Sequence, residues 1–166
     1  MKNCFPYLLL CLLMGCASHK KTNKMAAEID CAQTFYFAYD PRGDFEKFEY
    51  LGLPTFGDSK FPDFNERFIR SVEELDKDTP MVLHYVESDR LPAKNETFAE
   101  VWIEDIRLIA GFSSAVLEVD LVYEMPGETL RLTGTNKMNV GFTKRGSLYK
   151  ALKNGHFLFI SAICGR

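Results

Sequence analysis

Imidazole, thiol and carboxylate side chains are where this chain would carry acid–base, nucleophilic or metal chemistry. It has three histidines in 166 residues. His19 lies in a polar stretch near the N-terminus, so a histidine site in the body of the chain must use His84 or His156. No H-x-x-x-H, H-E-x-x-H or G-x-S-x-G pattern surrounds His84, and those spacings are what set two ligands on one helix face or a serine on a nucleophile turn. Carboxylates are plentiful: Glu118, Asp120 and Glu124 fall on one side of an alternating segment, and Glu100, Glu104 and Asp105 lie in the segment before it. Paired across a hairpin, such acids can bind Ca²⁺ or form a glycosidase-like acid/base pair. An outward strand face is charged without either role, and a solvated surface is the expectation. No glycine-rich phosphate loop occurs, the Arg42-Gly43-Asp44 triplet reads as part of a turn, and Trp102, the sole tryptophan, reads as a core residue. These readings predict a protein that is not an enzyme and that has no catalytic residue, no metal site and no cofactor.

The elements that must position these groups follow from periodicity. Thr34 to Tyr39 is rich in β-formers and reads as a strand. Asp40-Pro41-Arg42-Gly43 is a turn signal, and Phe45 to Leu53 reads as a second strand. Residues 61–77 read as a helix: Phe61, Phe64, Phe68, Val72 and Leu75 share one face, with Asp63 as cap and Glu66 three residues on, as in a capping box. Met81 to Val86 is a short apolar strand. Phe98 to Ala110 is a long strand with a face change near Asp105 that suggests a bulge. Ala115, Leu117, Val119, Leu121 and Tyr123 alternate with polar positions, so that strand turns this set to the core. Met125-Pro126-Gly127-Glu128 has the type II turn signature, and Thr129 to Val140 returns as a third strand of an antiparallel meander. Ser147 to Ile163 reads as one helix in preference to a break at Asn154-Gly155, with Gly155 on the packing face where it allows close approach. The predicted fold class is α+β: a mixed or antiparallel sheet that includes a three-stranded meander, with two helices packed on one face.

Composition sets the outer bounds. The chain is 46% hydrophobic and 26% charged with a formal charge of −3, which suits one globular domain and gives no support for nucleic-acid binding. The organisation reads as 1–15 leader, 16–30 polar tether and 31–166 domain. Five cysteines occur; Cys4 and Cys11 fall in the leader. Cys31 and Cys164 stand near the two ends of the domain, where they either pair as a disulfide or stay as two small buried thiols. Neither lies in a C-x-x-C, which disfavours redox catalysis. Basic residues in the tether sit where anionic headgroups would lie if the chain were anchored beside them, though a plain solvated linker reads equally well.

The leader has a basic start at Lys2, an apolar run from Cys4 to Met14 and the quartet Leu13-Met14-Gly15-Cys16. The run is too short to span a bilayer, which takes roughly 20 residues. The quartet resembles the lipobox of bacterial lipoproteins. That resemblance implies cleavage between Gly15 and Cys16, lipid and palmitate-type acyl groups on Cys16, and attachment to a membrane of the bacterial cell envelope. Ala17 in place of Asp implies the outer membrane, facing the periplasm, under the enterobacterial sorting rule. Tyr39-Asp40-Pro41-Arg42-Gly43-Asp44-Phe45-Glu46-Lys47-Phe48 resembles the opening of a family of uncharacterised envelope lipoproteins. The element order is also similar to accessory domains of outer-membrane assembly and transport machines, such as the N-terminal domain of the Tol-system propeller protein and the curli secretion lipoprotein. These resemblances imply an accessory or structural role with a protein partner in the envelope. Two other readings stay open: a binding module for an apolar ligand such as lipid, motivated by the aromatic content, and a hydrolase using the clustered carboxylates or His84.

Overall fold

A computed structural model describes residues 31, 33–42, 49–52, 63–87, 93, 96–139 and 144–165. The leader and tether readings, including Gly15 and Cys16, lie outside the described residues. Within them the architecture is α+β, with one open mixed sheet and two helices. The strands are β1 (Thr34–Tyr39), β2 (Glu49–Gly52), β3 (Val82–Tyr85), β4 (Glu96–Ala110), β5 (Ser114–Met125) and β6 (Glu128–Asn139), and the helices are α1 (Phe64–Asp78) and α2 (Lys144–Cys164). No helix among the described residues is long and apolar enough to cross a membrane.

The sheet order is β3-β1-β4-β5-β6. β1 lies between β3 and β4 and is parallel to both, and β2 pairs in parallel with the far half of β4. The turn expected at Asp40 therefore does not fold β2 back onto β1; the two strands follow one another along the same edge of β4. The expected meander is present: β4 and β5 pair antiparallel, as do β5 and β6. The register shift between Ile103 and Asp105 is the bulge anticipated from the face change. Gly127 closes the β5–β6 hairpin at φ +85°, a conformation that costs side chains with a Cβ.

α1 is capped as its sequence demands, with the Asp63 carboxylate accepting from the Glu66 N–H at 3.0 Å. Its Phe68, Val72 and Leu75 are buried together with Ser71, which shares the same face. α2 runs unbroken through Asn154-Gly155 and begins earlier than expected, at Lys144. Both helices cover the sheet face that carries Phe35, Phe37, Leu121 and Tyr123. Rings fill the space between: Tyr123 stacks on Phe159 at 4.4 Å, and Phe37 meets Phe159 edge-on at 5.7 Å. α2 lies against β6 at two facing glycines. A Cβ on Gly134 would fall 2.2 Å from the Ala151 carbonyl oxygen, and one on Gly155 would fall 2.4 Å from Leu121 Cδ1. The structure also brings Cys31 and Cys164 together as a disulfide, with Cα atoms 5.7 Å apart across 133 residues of sequence.

Candidate functional site

Two groups of polar side chains carry the chemistry this fold offers. One is buried beneath the helices and the other lies on the opposite face of the sheet, which neither α1 nor α2 covers.

The buried group joins three elements in a single chain of hydrogen bonds. His156 of α2 is fully buried, with Nδ1 3.0 Å from the Tyr123 hydroxyl of β5 and Nε2 3.0 Å from Ser71 Oγ of α1. The Ser71 hydroxyl donates to the Phe68 carbonyl at 2.6 Å, so its oxygen is left to accept from His156 Nε2–H. That assignment leaves Nδ1 as an acceptor for the Tyr123 O–H, and every polar atom in the chain is satisfied. A serine, a histidine and a hydroxyl in series resemble a nucleophile relay, but the proton runs the wrong way. The imidazole donates to the serine, so it cannot take that serine's proton. Three rings, Phe37, Phe68 and Tyr123, surround the imidazole at centroid distances of 4.9, 4.8 and 5.9 Å. Burial lowers the His156 pKa to about 3 and raises that of Tyr123 well above its ordinary value. Sequence reasoning weighed His156 as a site residue without seeing this chain. Ser71 falls at helical spacing from Phe68, Val72 and Leu75, and that spacing was the available signal.

A folded pKa below the unfolded one means that His156 stays neutral in the native state while the unfolded chain takes up a proton below pH about 6.5. The stabilising contribution is complete above that pH and is lost as pH falls toward about 3. Stability is therefore expected to drop by about 2 kcal/mol from this group between pH 7 and pH 5, before most carboxylates titrate. Urea unfolding of the native protein and of His156→Gln over that range checks it. The variant's curve should be flatter, and parallel curves would remove His156 as the cause.

The outer face collects the carboxylates singled out above and adds arginines that were not. Arg107 of β4 lies among Asp105 at 2.8 Å, Asp120 at 2.5 Å and Glu118 at 3.3 Å. Thr133 of β6 donates to Asp120 at 2.6 Å. Burial works to raise the Asp120 carboxyl, but hydrogen bonds from Arg107 and Thr133 outweigh it and hold the group below its ordinary value. The hydrogen bond with Asp120 raises the Arg107 pKa in turn. An acid kept ionised in this way is poorly suited to donate a proton to a leaving group. Replacing Arg107 by Gln is expected to cost about 1–2 kcal/mol near neutral pH, because three carboxylates lose their shared cation. Denaturation at low and high salt reads the effect, which should shrink as salt screens the exposed acids.

Beside this network, Arg42 stacks its guanidinium 4.4 Å above the Trp102 ring. Asp40 holds that guanidinium by a direct ion pair while its other oxygen accepts the Arg42 backbone N–H at 2.8 Å. Glu100 and Glu124 stand 3.6 and 3.8 Å away. Trp102 is thus a half-buried residue of the outer face and not a core residue, a correction to the expectation. The reason is register: Trp102 lies in the same rank as Val122 and Arg131, on the side away from the helices. Val122 also departs from the alternating pattern, since it is fully buried on this outer side. The Arg42 side chain of the Arg-Gly-Asp triplet is committed to Trp102 and Asp40. Glu104, in the bulge, meets Arg131 at 3.4 Å. His84 lies on β3, exposed, 5.1 Å from the Tyr36 ring and apart from the carboxylate network. Among the described residues no group of three His, Cys, Asp or Glu side chains is placed to hold a metal ion.

No protein-family model matches the chain, and no curated protein is significantly similar to it. Among solved structures, the crystal structure of an uncharacterized protein aligns at a TM-score of 0.36 and 7% identity, covering 81% of this chain and 91% of its own. A Xanthomonas campestris protein described as DUF330 aligns at a TM-score of 0.37 and 10% identity, covering 82% and 83%. Scores at that level do not establish a shared fold.

Proposed function

We propose that this chain is a lipid-anchored protein of the bacterial envelope that acts without catalysis, by holding another envelope component against the sheet face opposite α1 and α2. One observation carries the reading: the polar groups of that face are fixed in place before any partner arrives. Arg42 lies on Trp102 between Asp40, Glu100 and Glu124, and Arg107 is pinned by Asp105, Glu118 and Asp120. A rigid, patterned face of this kind recognises a partner at low entropic cost. The buried Ser71–His156–Tyr123 chain, which donates toward the serine, speaks against a hydrolase centred there. An apolar ligand between sheet and helices would have to displace the stacked rings and part the Gly134–Gly155 contact.

The anchor is part of the proposal and rests on Leu13-Met14-Gly15-Cys16, with the outer membrane inferred from Ala17. Palmitate labelling tests it: the native chain should take label and Cys16→Ser should not. For the binding role, tagged protein solubilised from membranes in detergent is expected to recover a discrete partner. Trp102→Glu, which removes the platform under Arg42, is expected to lose it. Recovery of no partner, or one indifferent to Trp102, would sink the reading.

A further inference from the structure

Among the described residues three large apolar side chains are exposed, and two of them share one place. Ile109 is 38% exposed near the end of β4, and Phe112, at the tip of the β4–β5 hairpin, is 95% exposed. No charged residue occurs from Leu108 to Leu117. The main chain beneath Phe112 is already paired. Ala110 pairs with Ala115 across the hairpin, and the Gly111 N–H donates to the Ser114 carbonyl at 2.8 Å. On the flanks, β2 pairs Leu51 and Gly52 with Ile109 and Ala110, and β6 pairs Met138 and Asn139 with Ala115 and Ser114. The strands that lead to the tip therefore show no bare edge. A protein partner could supply missing main-chain hydrogen bonds, whereas hydrocarbon cannot, so an exposed aromatic above a satisfied backbone suits lipid. The first charges below the tip, Arg107 and Glu118, stand opposite each other as an ion pair at 3.3 Å, about 10 Å below Ala110 at the rise of a strand. Between the two levels lies exposed Lys137, beside Val116, where a headgroup phosphate can meet it.

We propose that the β4–β5 tip dips into the bilayer that holds the chain's own lipid, with the Phe112 ring among the upper acyl chains, Ile109 at the glycerol level and the Arg107–Glu118 rank in water. The proposal rests on the anchor at Cys16 read above. Entry by about 5–10 Å is the depth at which apolar side chains hold to a membrane surface. One ring binds a bilayer weakly by itself, but the anchor makes the contact intramolecular and raises its effective concentration. The reach suffices. Thr34 of β1 is level with Glu96 of β4, so from the Cys31 end of the sheet to Ala110 is about 46 Å. The chain from Cys16 to Cys31 extends to about 50 Å. A tilted sheet thus brings the tip to the same leaflet as the anchor. Trp102, further down β4, stays in water with its face open to the partner.

Single cysteines in the full, lipidated chain test the contact. Phe112→Cys, Ile109→Cys and Thr129→Cys, the last at the opposite end of the sheet, each carry an environment-sensitive fluorophore in vesicles of phosphatidylethanolamine and phosphatidylglycerol. Emission from position 112 should shift to the blue and be quenched by a nitroxide on the upper acyl chain. Position 109 should follow more weakly, and 129 should keep the emission of water. Equal emission from 112 and 129 would overturn the proposal. So would a label at 112 that stays in water on these vesicles and is buried only in native membranes, which would assign the tip to a protein. Phe112→Asp added to labelled Ile109→Cys shows whether the ring, and not the dye, drives insertion: the shift at 109 should vanish, and its survival would count against the tip. Palmitate on Cys16 reports the anchor separately. A palmitate-bearing chain with position 112 in water loses this proposal alone, whereas a chain without palmitate loses the anchor and this contact with it.

Discussion

Removing the Cys31–Cys164 bridge is expected to lower the unfolding free energy by about 5 kcal/mol at the limit set by chain entropy. The bond ties the residues just before β1 to the end of α2 across 133 residues of sequence, and a loop of that size is among the most costly to close once the cross-link is gone. Cutting it frees both the unfolded chain and the last turns of α2, which lie over Phe35 and Phe37 through Phe159. The double variant Cys31→Ser/Cys164→Ser isolates the effect without leaving a lone thiol. Its melting temperature is expected to fall by roughly 10–20 °C for a domain of this length. Urea unfolding of oxidised protein, dithiothreitol-treated protein and the double variant gives the direct comparison. The two forms without the bond should agree, and both should unfold at much lower urea with the core otherwise intact. Equal stability of all three would mean that the bond contributes nothing.

Gly134→Ala is expected to cost about 3 kcal/mol or more, although it adds one methyl group. The new Cβ would stand 2.2 Å from the Ala151 carbonyl oxygen and 2.9 Å from the Gly155 nitrogen. Both obstacles are backbone, so the whole of α2 would have to lift from β6. That helix is held from three sides: by the disulfide at its end, by the ion pair between buried Lys153 and Asp78 of α1, and by the His156 hydrogen bonds. Overpacking with no slack falls at the costly end of its range. Gly155→Ala is the informative contrast. Its Cβ meets the tip of the buried Leu121 at 2.4 Å and the Tyr123 hydroxyl at 3.3 Å, side-chain atoms and not backbone, and alanine favours the helix by about 1 kcal/mol. Thermal melts should therefore place Gly134→Ala below Gly155→Ala, with both below the native protein. The reverse order would mean that the β6–α2 crossing is not the tight point.

Much of the fold was legible because local patterns and tertiary burial agree in this chain. The 3- and 4-residue spacing of Phe64, Phe68, Val72 and Leu75 marked α1, and the Asp63 cap marked its start. Alternation from Ala115 to Tyr123 identified β5, Pro126-Gly127 the hairpin, and the phase change near Asp105 the bulge. Gly155 on the helix face pointed to a close crossing, but its partner Gly134 was not seen, since a glycine in a strand carries no sign of what lies above it. The carboxylates of the outer face were visible, whereas the arginines that bind them were not. Arg42 comes from the segment after β1, and Arg107 lies two residues from Asp105 but thirteen from Asp120.

By itself the sequence determined the element types, the β5–β6 hairpin turn, the inward set of β5 and the buried face of α1, because each depends on neighbours within a few residues. Only the tertiary structure decided the rest. It set β1 parallel between β3 and β4, turned Trp102 outward beneath Arg42, paired Cys31 with Cys164, and closed a chain from Ser71 through His156 to Tyr123. Each of these joins residues far apart in the chain, and the directions in which their hydrogen bonds run exist only once three elements have packed around one imidazole.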